Sequence, residues 1–332
     1  MSVKTEVLKL LETHRQEDLS GQQIAEKLGV TRAAVWKAVN ALKKEGYRIE
    51  AANNRGYRLG TESDVLSAEG IVPQLKEEYR NREVVVYKSV DSTNQEVKRR
   101  ALDGAKEGLV VLSEEQTAGK GRKGRSFYSP AGTGIYMSAL FHPTPEKTKD
   151  VVLITTAASV AVCRAVRNVL QEEPQIKWVN DVYFRGKKIC GILTEAISDF
   201  ESGQIDSVVV GIGINYREPE GGFPEELRDL VGTVCSGEVV VPRNDLAAAI
   251  INELYEIYDN LADRTFLEDY KKWSNVLGKQ VRFSTMYRVS GDESEWQYGK
   301  AVDIDRDGGL VVLMENGEEQ VLRTGEISLR VV

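Results

Sequence analysis

The chain has 332 residues, a net charge of −7 and 41% hydrophobic residues, which allow two or three domains with sizeable cores. Its three cysteines lie far apart and its two histidines lack suitable partners, which argues against a disulfide framework, a zinc site and a Ser-His-Asp or Cys-His mechanism. No stretch is expected to approach the apolar length of a membrane span and no signal peptide opens the chain, so we expect a cytoplasmic protein without a membrane partner.

Charge is distributed unevenly between the N-terminal segment and the rest of the chain. Residues 1–60 contain 11 Lys and Arg against 7 Asp and Glu, a net charge of +4, which leaves −11 for the remainder. A basic segment joined to an acidic body favours a separate nucleic-acid-binding module at the N-terminus.

Three helices are predicted in this basic segment. Apolar residues at helical spacing predict the first over Val3–Thr13. Ser20 begins the second, and Gln23 three residues later completes a capping box. Thr31 caps the third.

The spacing of Ala25, Gly29 and Val35 predicts a helix-turn-helix at about residues 21–40, since it supplies a small crossing residue, a turn glycine and an apolar anchor. A hairpin with a basic tip would complete a winged helix over residues 1–62. The alternative is an ordinary three-helix protein-interaction domain. The residues expected to contact DNA are polar and lie on the outer face of the third helix or at the hairpin tip: Arg32, Lys37, Asn40, Lys44 and Arg55.

Residues 68–270 mix short β-branched runs with helices, which predicts an α+β domain with a mixed, largely antiparallel sheet. The longest predicted helices are Val151–Leu170 and Asn244–Ala262. Strands are predicted at Val84–Tyr87, Leu109–Leu112, Ile135–Leu140 and Val208–Ile214. Short strands and turn signals predict a small SH3-like β-barrel over residues 276–332.

The segment 119–126, Gly-Lys-Gly-Arg-Lys-Gly-Arg-Ser, is the most informative part of the domain. Its glycines let backbone N–H groups approach an anion, and its cations neutralise charge. It differs from a Walker A loop because a turn at Pro130 and a strand-like run at Ile135–Met137 follow it instead of a helix. We expect a flexible loop that folds over an anionic ligand; the alternative is a solvated basic linker.

Three further segments place polar residues or glycines at strand boundaries. Asp91–Asn94 follows a predicted strand, although helix capping alone would account for it. Lys177–Asp181 precedes a predicted hairpin that continues into Lys187–Leu193. Two glycines within Gly211–Asn215 would let a ligand lie against a strand.

The chain resembles the bifunctional biotin–protein ligases that also act as repressors of the biotin operon. Six segments recur in that family's order: Ser92–Asn94, Gln116–Arg125, Lys177–Asp181, Lys187–Leu193, Gly211–Asn215 and Gly325–Arg330. Together with the N-terminal winged helix they extend over nearly the whole chain. Residues 68–270 would then form the ligase domain.

The resemblance implies a two-step reaction. Biotin's carboxylate attacks the α-phosphate of ATP and gives biotinyl-5'-AMP and pyrophosphate. A lysine of the biotin carboxyl carrier protein domain of a biotin-dependent carboxylase then attacks the mixed anhydride. Such chemistry requires positive charge and positioning rather than an enzyme nucleophile. The resemblance also implies a liganded homodimer that binds biotin operator DNA, with biotinyl-5'-AMP as corepressor.

The resemblance also assigns individual residues. Lys188 and Arg122 are expected to be catalytic, and Asp181 to hold Mg²⁺. The residues expected to bind biotin are Ser92, Thr93, Asn94, Gln116, Lys120, Gly121, Arg122, Lys188, Gly191 and Gly213. Those expected to bind ATP or the adenylate are Lys120, Arg122, Arg125, Phe127, Lys177, Asn180, Asp181, Lys188, Asn215 and Arg330.

Two positions depart from the commonest family pattern, and a third keeps an aromatic residue. Lys120 replaces an arginine, Val179 replaces a proline, and Phe127 stands where relatives place an aromatic residue near adenine. Two alternatives remain open. A lipoate–protein ligase would share the central fold but lack the winged helix. A ligand-sensing repressor without catalytic activity would not need Lys188.

Overall fold

The computed structural model describes residues 2–15, 17–52, 56–144, 151–198, 205–235, 241–284, 296–323 and 328–331. Arg55 and residues 325–327 of the segment Gly325–Arg330 lie outside these ranges. The side chain of Arg330, whose backbone belongs to the last strand, is likewise not described.

The N-terminal part folds as three helices followed by a two-stranded hairpin. The elements are α1 (Val3–Thr13), α2 (Gly21–Leu28), α3 (Arg32–Lys44), β1 (Ile49–Ala52) and β2 (Gly56–Leu59). The capping box is present as predicted, with Ser20 Oγ accepting from Gln23 N and Gln23 Oε1 accepting from Ser20 N. Gly29 ends α2 at φ +64°, a left-handed conformation that favours glycine. The winged helix-turn-helix prediction is confirmed.

The central part is built on a seven-stranded sheet. Its helices are α4 (Ala68–Ile71), α5 (Thr93–Leu102), α6 (Val151–Leu170), α7 (Glu225–Arg228), α8 (Arg243–Asp259) and α9 (Phe266–Trp273). Its strands are β3 (Val84–Tyr87), β4 (Val110–Ser113), β5 (Gly134–Phe141), β6 (Gln175–Lys177), β7 (Asp181–Phe184), β8 (Lys187–Ser198) and β9 (Ile205–Asn215). The strand order is β3-β4-β5-β9-β8-β7-β6, and β3–β4 is parallel while the other neighbours are antiparallel.

Alternate residues of the strands supply two separate cores. Val110 and Leu112 of β4 belong to the main core, which includes α6 and α8. Val111 between them packs in a smaller cluster with Val97 of α5. Since successive side chains of a strand point to opposite faces, α5 covers one face of the sheet and α6 and α8 cover the other.

Helix α6 corrects one expectation from the sequence. Its 20 residues are long and apolar enough, by length and composition, to cross a membrane. However, 78% of its most apolar window is buried inside the protein, where it packs against α8 and the sheet. The helix is apolar on nearly every side because it forms the centre of the core.

The C-terminal part is a five-stranded antiparallel sheet, as the sequence predicts. Its strands are β10 (Gln280–Ser284), β11 (Gln297–Ile304), β12 (Leu310–Met314), β13 (Glu319–Leu322) and β14 (Ser328–Val331), in the order β13-β12-β11-β10-β14. The turn between β11 and β12 contacts the central part, where the buried Trp178 indole donates to Gly308 O at 3.0 Å. The turn therefore lies next to the segment Lys177–Asp181.

The polar segment before α4 is fixed against the central part rather than extended as a linker. Arg243, which is 2% exposed, donates from its backbone N–H to Asp64 at 2.7 Å and from Nη1 to Glu114 at 2.8 Å. Leu66 N also donates to Glu114, at 2.8 Å. A buried guanidinium held by two carboxylates thus joins the segment before α4 to the residue that follows strand β4.

Candidate active site and DNA-binding surface

Three adjacent strands form the floor of a slot on the α5 side of the sheet. In register, Ser138 of β5 lies opposite Gly211 of β9, and Gly211 lies opposite Leu193 of β8. Two residues further along β9, Gly213 lies opposite Gly191. Because alternate residues share a face, the glycines and the Ser138 hydroxyl lie on the same face of the sheet, and the glycines line the slot.

The glycines provide space that no other residue would leave. A β-carbon on Gly211 would overlap Asn94 Oδ1, and one on Gly213 would lie 2.7 Å from the ring of Phe127. The side chains of Asn94 and Phe127 therefore lie directly against the backbone of β9, where any residue other than glycine would clash with them.

Polar groups at the start of α5 form one wall of the slot. Ser92, Thr93 and Asn94 are 2–4% exposed, and the Ser92 side chain makes no capping hydrogen bond. Gln116 Oε1 accepts from Thr93 N at 2.9 Å and lies 3.1 Å from Thr93 Oγ1. Helix capping therefore does not account for this segment, whose polar groups face the slot.

A second set of contacts fixes the amide of Asn94. Its Nδ2 donates to Glu195 Oε2 at 2.7 Å, and its Oδ1 accepts from Ser138 Oγ at 2.6 Å. Burial would raise the pKa of Glu195, but hydrogen bonds from Lys98 and Asn94 outweigh it and lower the pKa. A charged carboxylate thus holds Asn94 in a single orientation.

The ring of Phe127 lies within the slot. Ring carbons would be 2.7 Å from a β-carbon on Gly213 and 3.4 Å from one on Gly191. The remaining cavity, lined by Ser92, Gln116 and their neighbours, has a volume of about 30 Å³, which is room for one water molecule. A larger ligand therefore requires Phe127 to move.

Opposite charges meet at the end of the slot. Lys188 Nζ lies 2.6 Å from Asp181 Oδ1, on the neighbouring strand of the β7–β8 hairpin. Arg122 Nη1 donates to Asn180 Oδ1 at 2.5 Å, so the glycine- and cation-rich loop lies across this hairpin. Burial lowers the pKa of Arg122, although the nearby Asp181 partly offsets this effect. The guanidinium remains charged because its ordinary pKa is so high.

The loop itself is a compact turn closed by its own backbone. Gly121 N donates to Arg125 O at 2.7 Å, and Phe127 N donates to Gly119 O at 2.9 Å. Lys123 and Gly124 both have positive φ, at 59° and 69°. The chain turns back on itself here and continues towards β5, which confirms that the segment is not a Walker A loop.

The outer face of α3 presents the other candidate site. Arg32, Lys37 and Lys44 are exposed and Asn40 is half-buried, whereas Val35 and Val39 face the core of the winged helix. Arg55, also predicted to contact DNA, lies outside the described residues.

Comparison with known proteins agrees with this architecture. Residues 4–58 match a helix-turn-helix domain, residues 86–215 the biotin/lipoate A/B protein ligase family, and residues 276–330 the biotin protein ligase C-terminal domain. The chain is 32% identical to the bifunctional ligase/repressor BirA of Bacillus subtilis, over 96% of this chain and 95% of that protein. The chain belongs to the family of bifunctional biotin–protein ligase/repressors.

Two further similar proteins agree with the assignment. The bifunctional ligase/repressor BirA of Escherichia coli is 29% identical over 94% of this chain and 92% of its own length. A biotin protein ligase from Aquifex aeolicus, solved with biotin and ATP, superposes with a TM-score of 0.61 at 27% identity. That match covers 75% of this chain and 99% of the Aquifex protein.

The structure brings most of the ligase/repressor segments to one place. Ser92–Asn94, Gln116, Lys120, Gly191 and Gly213 line the slot. Arg122, Asn180, Asp181 and Lys188 form the charged end described above.

The remaining predicted positions lie on several different elements. Lys177 pairs in register with Asp181, and Asn215 lies at the end of β9, opposite Gly134. Arg125 is exposed on the loop. Arg330 lies in β14, and its side chain is outside what the structure describes.

Ser138 and Glu195 contribute to the site but are absent from the sequence-based assignment. Ser138 is a fully buried hydroxyl in an otherwise apolar strand, and Glu195 is a carboxylate in the half-buried part of β8. A polar residue within a hydrophobic run was the available signal, since buried polar groups require partners.

Proposed function

We propose that this site joins biotin to AMP from ATP and then transfers the biotinyl group to a lysine of a carboxylase carrier domain. The chain is accordingly an ATP-dependent biotin–protein ligase. The observation that carries the proposal is the placement of Lys188 and Arg122 at one end of a slot whose wall consists mainly of uncharged hydroxyl and amide groups. A ligand with a polar ring system and a carboxylate on an apolar chain matches this polarity.

The slot is suited to the ureido ring of biotin. A ureido group has two N–H donors and one carbonyl acceptor, and Ser92, Thr93, Asn94 and Gln116 offer hydroxyl and amide partners. Their mutual hydrogen bonds, together with Glu195 and Ser138, orient these groups before the ligand arrives. Prior orientation lowers the cost of ordering the site upon binding.

The charged end is suited to the reacting carboxylate and α-phosphate. Two anions must approach each other, and the ammonium of Lys188 and the guanidinium of Arg122 would offset their repulsion and the charge that develops. The nearby Cys190 is fully buried, and burial raises the pKa of its thiol, so it stays protonated. Positioning and charge, rather than a covalent enzyme intermediate, account for the chemistry.

The loop is suited to retain the product. Arg122 reaches across to Asn180, so residues 119–126 lie over the end of the slot where the anhydride would form. A closed loop excludes water, and biotinyl-5'-AMP is an activated acyl group that water would hydrolyse. The loop must open again before a carrier lysine can attack.

The residues present also fit a magnesium ion. Asp181 Oδ1 is buried and lies 2.6 Å from Lys188 Nζ, and within the described residues it accepts no well-aligned hydrogen bond. The described ranges contain no group of three acidic, histidine or cysteine side chains that could hold a metal by itself. Asp181 would hold Mg²⁺ together with substrate phosphates, as is usual for this ion, and the ion would neutralise phosphate charge.

Incubation of the purified full-length chain with biotin, ATP and magnesium tests the ligase proposal. Biotin-dependent exchange of labelled pyrophosphate into ATP is expected, followed by biotinylation of an added carboxylase carrier domain. Exchange that depends on lipoic acid instead of biotin would identify a lipoate ligase. Ligand binding without exchange would identify a sensor that lacks catalytic activity.

We propose in addition that the winged helix represses transcription as part of a liganded homodimer. One winged helix makes few phosphate contacts, whereas two recognition helices one DNA turn apart would bind a two-fold symmetric operator specifically. A protein that binds operator DNA and modifies a carboxylase carrier domain would act in the cytoplasm. Linkage requires that a ligand favouring the dimer also raises the affinity for the operator.

Sedimentation of the full-length chain with and without biotin and ATP tests this second proposal. The ligands are expected to shift the monomer towards a dimer and to tighten binding to a two-fold symmetric duplex. A chain that starts at residue 61 keeps Asp64 and its contacts with Arg243, so it should retain the ligase reaction and lose DNA binding. Operator affinity that is independent of ligand would contradict the repressor role.

A further inference from the structure

The third helix of the winged helix exposes a large aromatic residue. Trp36 is 59% exposed, whereas Trp178 and Trp273 are 5% and 4% exposed. Its neighbours in sequence, Val35 and Val39, are fully buried against the rest of the module. Trp36 is therefore not part of the core, although an indole of this size is usually among the more buried side chains.

Cations and an amide surround the exposed indole. Arg32 and Asn40 lie four residues before and after it, so one stripe of α3 reads Arg-Trp-Asn. Lys37, Asn40, Lys43 and Lys44 line a shallow groove together with Trp36. The helix from Arg32 to Lys44 contains no acidic residue. The charge of this surface is complementary to a polyanion.

A phosphate backbone would explain the lysines but not the indole. Phosphate contacts use cations and N–H groups, and the indole offers only one N–H, whereas the rest of its large ring gains free energy chiefly by covering apolar surface. In the major groove of duplex DNA the apolar group available to such a ring is the C5-methyl of thymine. Trp36 lies at the middle of the helix that a helix-turn-helix places in that groove.

We propose that Trp36 determines sequence specificity by packing against thymine methyl groups, between base or phosphate contacts made by Arg32 and Asn40. This inference rests on the proposed DNA-binding function and specifies which bases it reads. The lysines of the groove supply affinity that does not depend on sequence. Thymines are therefore required at fixed positions within each half of the recognised duplex.

Selection from a randomised duplex library provides the first part of the test. The full-length protein with biotin and ATP should enrich a two-fold symmetric site with fixed thymines. Trp36→Ala should bind that site about tenfold more weakly but retain its affinity for an unrelated duplex. Lys44→Ala, the matched control, should weaken binding to both duplexes alike and lower the salt dependence.

Replacement of single thymines by deoxyuridine isolates the methyl group. The wild-type protein should lose about fourfold in affinity for each contacted thymine, the effect of one buried methyl group. Trp36→Ala should be insensitive to the same replacements. The ligase reaction serves as the folding control and should be unchanged in Trp36→Ala, since Trp36 lies in the winged helix.

Distinct outcomes separate failure of this inference from failure of the DNA-binding proposal. If the wild-type protein enriches no sequence from the library, the DNA-binding proposal itself is wrong. An enriched site with no response to deoxyuridine, or an equal loss by Trp36→Ala on all duplexes, would overturn the role of Trp36 alone. A Trp36→Ala protein that dimerises less without DNA would assign the indole to a protein interface instead.

Discussion

Lys188 and Asp181 form an ion pair across the β7–β8 hairpin, with Nζ 2.6 Å from Oδ1. The Lys188 ammonium is thus a cation at the end of the slot. In the absence of another anion, the Asp181 carboxylate neutralises its charge. Side-chain exposures of 30% and 23% leave both groups open to a ligand. An anionic substrate could therefore reach the Lys188 ammonium and compete with Asp181 for it.

Lys188→Ala should slow biotin-dependent pyrophosphate exchange by about 10²–10³-fold, since one preorganised charge at a reacting phosphate contributes on this scale. Lys187→Ala is the matched control, because that neighbouring ammonium is exposed and, among the described residues, donates to the backbone carbonyl of Arg228 at 3.2 Å. An exchange rate that is equal in the two variants would remove Lys188 from the mechanism.

Arg122→Gly should still form the adenylate but release it prematurely. The variant loses the hydrogen bond to Asn180 that holds the loop across the hairpin. Promiscuous biotinylation of bystander lysines, measured on a mixture of unrelated proteins, is the expected readout.

Arg185→Gly provides a control of the same type, because Arg185 is an exposed residue at positive φ in the β7–β8 turn. It should label only the carrier domain. If Arg122→Gly shows the same restricted labelling and retains adenylate normally, the loop does not act as a lid.

Phe127→Ala should raise the association rate of biotin. The ring now lies against Gly213 and Gly191 and reduces the slot to about 30 Å³. Removal of the ring leaves the slot open before the ligand arrives. Stopped-flow binding of biotin measures the effect, with Tyr128→Ala as control because that ring is 40% exposed. An association rate that Phe127→Ala leaves unchanged would show that the ring does not obstruct entry.

Arg243→Met should destabilise the protein by about 3–5 kcal/mol, because two carboxylates would lose the guanidinium that pairs them. Asp64 and Glu114 are both held by this side chain. Denaturant unfolding measures the loss, and Arg228→Met, at an exposed position, should change stability by less than about 0.5 kcal/mol. A similar midpoint for the two variants would show that the buried cluster contributes little.

The sequence by itself determined the local structure and the family. Ser20, Gln23 and Gly29 define the ends of α2 through capping interactions that act within a few residues, and they are present as predicted. The six family segments likewise identified the ligase family. Such features depend on neighbouring residues, so a linear pattern is sufficient to find them.

Only the tertiary structure decided which distant residues complete the site. The register of β5, β9 and β8 places Ser138 beside Gly211 and makes it a partner of Asn94, although 44 residues separate Ser138 from Asn94. Arg243 joins Asp64 and Glu114 across still longer separations. Helix α6 has the composition of a membrane span, and only its burial in the core gives it another role. Register and burial depend on the packing of the whole chain, and no local pattern specifies them.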